Sequence, residues 1–400
     1  MIDSSSSPWL HRFALAIALM TLGLIGLGGM VTSKGVGMAV PDWPTTYGEN
    51  MFLFPVSQWV GGIFYEHTHR LLASLVGLLS AILAIWVWGR GTSGAKKWTG
   101  LAWVILGLGL IGVRTQTMFI GLAGASCLVV MICGWQLLHG PRQLHWWCLL
   151  AYSLVLIQGT LGGLRVTLIK DELGIVHGTI AQLFFLLICG IALVTGKRWR
   201  TLSGFKPDTA YVSLRRIYLL VSILILGQLI LGATMRHQHA GLAVPDFPLA
   251  YGKLLPSLDP NFIAEVNQRR MDPREFNPIT AGQIVLHMSH RALALIIFSG
   301  VVYCALVTRR RTGSDSVFSR LGDFWLGLVC LQAILGAATV WSNKSVEFAT
   351  LHVVVGALSL GFGGLLTMVS HRVSQLTCAT EEPGSASTCE SRLTIAPNPC

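Results

Sequence analysis

Charge is scarce in this chain. Only 12% of its 400 residues are Asp, Glu, Lys or Arg, whereas hydrophobic residues make up 52% and the mean hydropathy is +0.62. Soluble domains carry about 25% charged residues, so this composition excludes an ordinary soluble globular protein. Many apolar runs approach the roughly 20 residues that cross a bilayer as a helix. The sequence therefore predicts an all-α, polytopic membrane protein embedded in lipid.

Paired cysteines are also missing. None of the nine cysteines lies in the two long loops that we predict between helices, and no CxxC motif occurs. This pattern excludes a disulfide framework and a CxxC metal or redox site. Six cysteines lie in or beside apolar segments, so we expect reduced thiols with structural roles.

The net charge of +11 does not indicate a nucleic-acid partner. Basic residues cluster in short loops at alternate helix ends: Arg90, Lys96 and Lys97; Arg142; Lys197, Arg198, Arg200, Arg215 and Arg216; Arg309, Arg310 and Arg311. This is the positive-inside pattern of membrane proteins. It predicts that both termini are cytoplasmic and that the two loops containing VPD lie on the outer side. The first apolar run has no clear cleavage site, so we expect it to be a retained helix.

The chain contains an internal repeat. Gly37–Gly48 reads GMAVPDWPTTYG and Gly241–Gly252 reads GLAVPDFPLAYG, with eight of twelve positions identical. In each half the next apolar segment opens on a His-Arg step, EHTHR at Glu66–Arg70 and HMSHR at His287–Arg291. The sequence therefore predicts a duplicated unit.

Helix spacing defines that unit. Helices are predicted at about 12–33, 64–88, 98–113, 117–137, 146–165, 175–195, 214–235, 284–306, 321–341 and 348–370. His69 and His177 are 108 residues apart, whereas His290 and His352 are 62 apart, and the excess of 46 residues is about two membrane helices with their loops. We therefore predict about ten transmembrane helices in two pseudo-symmetric four-helix bundles. The bundles span 12–196 and 213–370, with an extra helical hairpin at about 98–137, and a polar tail at 373–400 is predicted to be disordered on the inner side.

Four histidines form the predicted site. His69, His177, His290 and His352 each lie within about two turns of the outer start of a helix, so we expect them at similar depth, paired within each half. An imidazole among apolar helices is costly unless it is bonded, and two imidazoles from facing helices are a suitable axial pair for haem iron. The alternative for each is a structural histidine that bonds a neighbouring helix. Four of them in a duplicated pattern favour the metal or haem site.

The neighbours of these histidines leave alternatives open. Glu66 precedes His69 by one helical turn and is either a helix N-terminal stabiliser or, as we favour, a proton-handling group. Arg70 and Arg291 either neutralise haem propionates or extend toward the membrane surface. The VPDWP and VPDFP segments are either covers over the pockets or ordered turns.

Together these motifs resemble the haem A synthase family over about residues 15–370. The family fold is two four-helix bundles related by a pseudo-two-fold axis, and its enzymes oxidise a methyl group of haem O to a formyl group, giving haem A for terminal oxidases. The resemblance implies that His290 and His352 ligate haem b. It also implies that His69 and His177 hold the substrate haem O and that Glu66 is the catalytic carboxylate.

The resemblance further implies a bacterial inner (plasma) membrane protein with its haem sites toward the outer side. A quinone or another electron carrier, haem O synthase and oxidase assembly factors are the implied partners. Many family members carry a cysteine pair in the first outer loop, which is absent from Ser33–Tyr65, and the hairpin at 98–137 is unusual. The main alternative function is a di-haem b electron-transfer subunit, but a carboxylate beside only one histidine pair favours the enzyme. A transporter would require broken helices with charged residues near the midplane.

Overall fold

The structure is a computed structural model, and it describes residues 7–109, 115–141, 143–202, 210–269 and 278–380. The helices are α1 (Pro8–Ser33), α2 (Gly61–Gly91), α3 (Gly94–Gly109), α4 (Gln116–His139), α5 (Leu144–Leu168), α6 (Asp171–Thr195), α7 (Lys197–Thr201), α8 (Ala210–His237), α9 (Pro260–Arg269), α10 (Ala281–Thr312), α11 (Val317–Trp341) and α12 (Val346–Thr380). Two short antiparallel strands, β1 (Thr45–Thr46) and β2 (Glu49–Asn50), lie in the loop between α1 and α2.

The prediction of an all-α, multi-pass membrane protein is confirmed. Within the described ranges, nine helices are long and apolar enough to span a bilayer: α1, α2, α4, α5, α6, α8, α10, α11 and α12. The tenth predicted span corresponds to α3, whose 16 described residues cover about 24 Å, less than the roughly 30 Å hydrocarbon core. The predicted turn of the hairpin lies between the two predicted spans, at 114–116; α4 begins at Gln116, and residues 110–114 lie outside the described part of the chain. The short helices α7 and α9 were not predicted.

Eight of the helices form two rings of four. In the first ring α1, α2, α5 and α6 contact one another in order, and in the second α8, α10, α11 and α12 do the same. The rings meet where α1 and α6 pack against α8 and α12. Glycines on α12 permit this contact, because a Cβ on Gly364 would lie 2.4 Å from Cδ1 of Leu186 and one on Gly361 would lie 3.0 Å from Cε1 of Phe185.

The helices α3 and α4 have no counterpart in the second half. α3 packs on α2, and α4 packs on α5. A Cβ on Gly100 would lie 2.0 Å from Cε2 of Trp88, and one on Gly107 would lie 2.1 Å from the Tyr152 hydroxyl, so two glycines bring α3 against its neighbours. These helices match the predicted extra hairpin and form an outer layer on the first ring.

The C-terminal tail begins later than the sequence predicts. α12 continues to Thr380, so residues 373–380 of the predicted tail are helical, because this stretch contains neither glycine nor proline to end the helix. Residues 381–400 lie outside the described part of the chain.

The repeated loop motif folds into the same turn twice. Asp42 accepts hydrogen bonds from the backbone N–H groups of Tyr47 and Gly48 at 2.7 and 2.8 Å, and Asp246 accepts the equivalent bonds at 2.6 and 2.8 Å. Gly48 has a φ of +79°, which glycine adopts without strain. Partial burial raises the pKa of the Asp42 carboxyl, but hydrogen bonds to Gly48, Thr45 and Tyr47 outweigh it and hold that pKa below its ordinary value of 3.8.

We expect Asp42→Ala to open this turn. The substitution removes a charged acceptor from two backbone N–H groups, and a hydrogen bond to a charged group is worth about 1.5–3 kcal/mol. Deuterium uptake in the first loop at pH 7 should rise by roughly tenfold or more. Asp259→Ala, in the loop between α8 and α10, is the matched control and should leave uptake in the first loop unchanged. Because the folded pKa of Asp42 is lowered, the wild-type turn should remain closed at neutral pH and loosen only as the pH falls below 3.8.

Candidate functional site

Each of the four predicted histidines packs against a glycine on the preceding helix of its ring. A Cβ on that glycine would lie 3.0–3.3 Å from the imidazole Cε1 in all four pairs: Gly28 with His69, Gly162 with His177, Gly232 with His290, and Gly336 with His352. The histidines lie six to nine residues after the first residue of their helices, all at the end of the rings that carries the VPD loops. The structure therefore contains four equivalent histidine–glycine contacts, and we call each of these positions an imidazole seat.

Glutamines brace three of these seats. Gln158 Nε2 donates to the backbone oxygen of His177 at 2.9 Å, and Gln228 Nε2 donates to that of His290 at 2.9 Å. The backbone oxygen of Gln332 lies 3.1 Å from His352 Nδ1. Each glutamine precedes its glycine by four residues in a QxxLG motif, and the fourth seat has Leu24 at that place. All three copies of this motif are visible in the sequence.

The second ring presents a pair of facing imidazoles. The ring centroids of His290 and His352 are 6.5 Å apart. An imidazole–metal bond is about 2 Å long and the ring centroid lies about 1 Å behind the nitrogen, so two imidazoles on opposite sides of one metal ion have centroids about 6 Å apart. This spacing fits bis-histidine ligation of haem iron.

The first ring places His69 and His177 on diagonal helices, α2 and α6, as the second ring places its pair on α10 and α12. The Nδ1 atoms of His69, His177 and His290 are buried and have no hydrogen-bond partner among the described residues. A buried imidazole nitrogen without a partner costs free energy, so these positions favour a ligand or a hydrogen-bonding guest.

All four histidines line one cavity of about 1520 Å³. A site for a single small molecule usually measures about 300–1,000 Å³, so this cavity can hold two large ligands. Trp43 and Phe247 also line it, which supports the interpretation of the two loops as covers. Trp43 sits so close to α5 that a Cβ on Gly163 would lie 2.0 Å from its Cδ2, and its ring lies 4.7 Å from that of Phe119.

Glu66 lies at the wall of this cavity and is only 4% exposed. Its Oε1 lies 2.7 Å from an Arg70 guanidinium nitrogen, and its Oε2 accepts a hydrogen bond from the Val40 N–H at 2.9 Å. Glu66 is beyond the first turn of α2, so the helix N-terminal interpretation does not apply. In the second half His287 Nδ1 accepts from the Val244 N–H at 3.3 Å. Glu66 and His287 thus each accept a hydrogen bond from the backbone of the loop in their half, but only Glu66 has a carboxylate.

Arg70 and Arg291 have a role that the sequence did not indicate. Arg70 donates to the backbone oxygens of Asp42 and Val40 at 2.7 and 2.8 Å, and Arg291 donates to those of Asp246 and Val244 at 2.7 and 3.2 Å. Each arginine therefore fastens its loop over the cavity, instead of extending to the membrane surface.

Two further arginines were missed by the sequence interpretation. Arg165 on α5 and Arg236 on α8 both line the cavity where the rings meet. Arg236 donates to the backbone oxygen of Gly29 and to Ser33 Oγ, whereas Nε of Arg165 is buried without a hydrogen-bond partner in the described part of the chain. No ion pair to an acidic residue is found for either within the described ranges. Two half-buried cations that line one cavity suit an anionic ligand, and isolated arginines in GGLRV and TMRH were the available signal.

Comparison with known proteins places these features in a family. Residues 114–362 match the family model COX15-CtaA, described as cytochrome oxidase assembly protein. That range includes His177, His290 and His352 but not His69 or Glu66.

Relatives named heme A synthase extend the match along the chain. The protein of Methylobacterium radiotolerans is 26% identical over 94% of this chain and 92% of its own length. That of Rhodopseudomonas palustris is 22% identical over 93% of this chain and 91% of its own length. A Bacillus cereus protein of the same name is 22% identical over 58% of this chain and 68% of its own length.

The glycine seats can be tested directly. We expect Gly336→Ala to lower the haem content of the purified protein several-fold, because the added Cβ would lie 3.1 Å from His352 Cε1 and displace the ring. Gly327→Ala on the same helix is the matched control, since a Cβ there meets nothing within 4 Å. Haem content is measured by absorbance per mole of protein. Equal haem content in both variants would contradict the seat.

Proposed function

The chain belongs to the COX15-CtaA family of cytochrome oxidase assembly proteins, and from that membership we propose that it is a haem A synthase, which oxidises a methyl group of haem O to a formyl group. Its relatives along almost the whole chain carry the name heme A synthase. The observation that carries the proposal is the cavity lined by two histidine pairs, only one of which has a carboxylate beside it.

The second ring holds the resident cofactor in this proposal. His290 and His352 ligate a haem b, as the 6.5 Å between their ring centroids permits. A haem with two imidazole ligands supplies one-electron transfer, with a potential that its ligands and burial set. The chain's part is to keep both imidazoles at fixed positions, which the seats at Gly232 and Gly336 do.

The first ring holds the substrate haem O between His69 and His177. Its propionates are carboxylates, and Arg165 and Arg236 are half-buried cations that line the cavity. A bidentate arginine–carboxylate contact both neutralises the charge and orients the ligand. Orientation decides which edge of the porphyrin faces Glu66.

Glu66 is the proposed catalytic carboxylate. Conversion of a methyl group to a formyl group removes electrons and protons from the carbon and adds the oxygen atom of a water molecule, so positive charge develops at the reacting edge as the electrons leave. The Arg70 contact and the Val40 hydrogen bond use one acceptor direction on each carboxylate oxygen, and each oxygen keeps another for a proton or a developing cation.

The surroundings of the protein complete the proposal. In this proposal the protein lies in a bacterial inner membrane, with the VPD loops and the haem sites on the outer side and the described chain ends cytoplasmic; the distribution of the basic loops supports this orientation. A quinone or another membrane electron carrier accepts the electrons, and a haem O synthase supplies the substrate.

Two substitutions at Glu66 separate chemistry from loop support. Glu66→Gln and Glu66→His both keep an acceptor for the Val40 N–H, the second by copying the arrangement at His287. We expect each to retain haem b and to lose haem A formation by about 100-fold or more, the scale of a positioned acid–base or charge-stabilising group. Haem A is measured by pigment extraction after co-expression with a haem O source. Full activity of Glu66→His would show that Glu66 supports the loop and takes no part in the chemistry.

The assignment of the two rings has its own test. We expect His290→Ala and His352→Ala each to remove the six-coordinate, low-spin haem b spectrum, whereas His69→Ala and His177→Ala leave that spectrum in place. Loss of the resident haem after His69→Ala, with retention after His290→Ala, would reverse the assignment.

A further inference from the structure

Within the described ranges, the cavity extends beyond the first ring to two helices that have no counterpart beside the second ring. From the seats of His69 and His177 its lining continues outward to Gly107 and Leu108 on α3 and to Phe119 and Leu122 on α4. Among the described residues no helix lies in the corresponding place beside the second ring, because α10 and α11 follow one another without an intervening hairpin. The α3–α4 hairpin therefore forms a wall of the first pocket as well as an outer layer of the fold.

The lining of this extension is apolar. Leu78 on α2 and Val155 and Leu156 on α5 face it together with Leu108 and Leu122. The two polar side chains nearby are already bonded to the protein: the Tyr152 hydroxyl donates to the Val104 oxygen at 3.0 Å, and Thr160 Oγ1 donates to the Phe119 oxygen at 3.2 Å. The extension thus offers hydrocarbon contact and no free hydrogen-bonding group at these positions.

Glycines keep the extension open. A Cβ on Gly77 would meet nothing nearer than Val155 Cγ1 at 3.9 Å, and one on Gly159 would meet nothing within 4 Å. The missing side chains lie on the two helices, α2 and α5, between which the extension runs.

The opposite face of the hairpin points away from the pocket. Leu128, Met131 and Trp135 on α4 are more than half exposed, as expected for side chains in contact with lipid. Leu122, in contrast, is only 6% exposed. One face of α4 therefore meets the bilayer and the other closes the extension.

We propose that the extension is a subsite for the isoprenoid chain of the substrate, so that the α3–α4 hairpin selects a farnesylated haem over haem b. This inference rests on the proposed function, since it takes haem O as the ligand of the first ring. Haem O differs from haem b by a long branched hydrocarbon chain, and the ring proposed for haem b lacks the hairpin. An apolar pocket discriminates by about tenfold or more for each methylene that it accommodates.

The test measures binding as well as turnover. Haem O and haem b are titrated separately into the purified full-length protein that retains its resident haem, and the affinity of the added haem is read from difference absorbance. We expect the wild type to bind haem O at least tenfold more tightly than haem b. Leu122→Trp fills the extension and should weaken haem O binding by tenfold or more while leaving haem b binding within about twofold.

Leu128→Trp is the matched control, because it adds the same side chain to the lipid-facing side of the same helix. It should bind both haems like the wild type, and the spectrum of the resident haem reports folding of every variant. Leu108→Trp fills the extension from α3 and should reproduce the effect of Leu122→Trp.

The outcomes separate the two proposals. Unchanged haem O affinity in both tryptophan variants, or an equal loss for haem O and haem b, overturns the subsite. A wild type that shows the preference for haem O but makes no haem A overturns the proposed function and leaves the subsite standing. A wild type that binds neither added haem overturns both.

Discussion

The contact between an imidazole and a glycine on the neighbouring helix is the constraint on which the rest of the structure depends. At Gly28, Gly162, Gly232 and Gly336, any side chain would force the ring to move or the helices to separate. The positions of the imidazoles are therefore determined by backbone packing, and helix packing and ligand geometry cannot change independently. Because an imidazole among apolar helices requires a partner, the same contact commits the centre of each ring to a ligand that imidazole can bind.

Duplication explains what the halves share, and their differences indicate where chemistry occurs. Each half has the same loop turn, an arginine that donates to the backbone oxygens of that loop, and two imidazole seats. At the position that receives the loop N–H, however, one half has Glu66 and the other has His287. Both accept the hydrogen bond, so loop support alone does not require a carboxylate. The first half also has Leu24 where the other three seats have glutamine, and it alone carries the hairpin. All three differences involve residues that line the same cavity.

The sequence predicted the helices and the grouping of the histidines because both follow from local patterns: apolar run length, and residue position relative to a helix start. It did not predict that Arg70 binds the backbone oxygens of Asp42 and Val40, since that contact depends on how the loop folds back over α2. Nor did it predict that Arg165 and Arg236 line the same cavity, because this depends on how the two helix rings pack against each other. The sequence did not predict that α12 continues to Thr380, because residues 373–380 belong to a polar segment of the kind that is often disordered. These residues include no glycine or proline that would end a helix.

Arg165 and Arg236 also link the two helix rings. Arg236 belongs to the second ring, yet it donates to Gly29 and Ser33 on α1 of the first. Arg165 belongs to the first ring and lines the same cavity. Neighbouring buried cations repel each other and lose hydration, so their approach is favourable only where carboxylates or backbone oxygens receive them. A ligand that brings carboxylates to these two arginines therefore stabilises both the helix ring that binds it and the contact between the two helix rings.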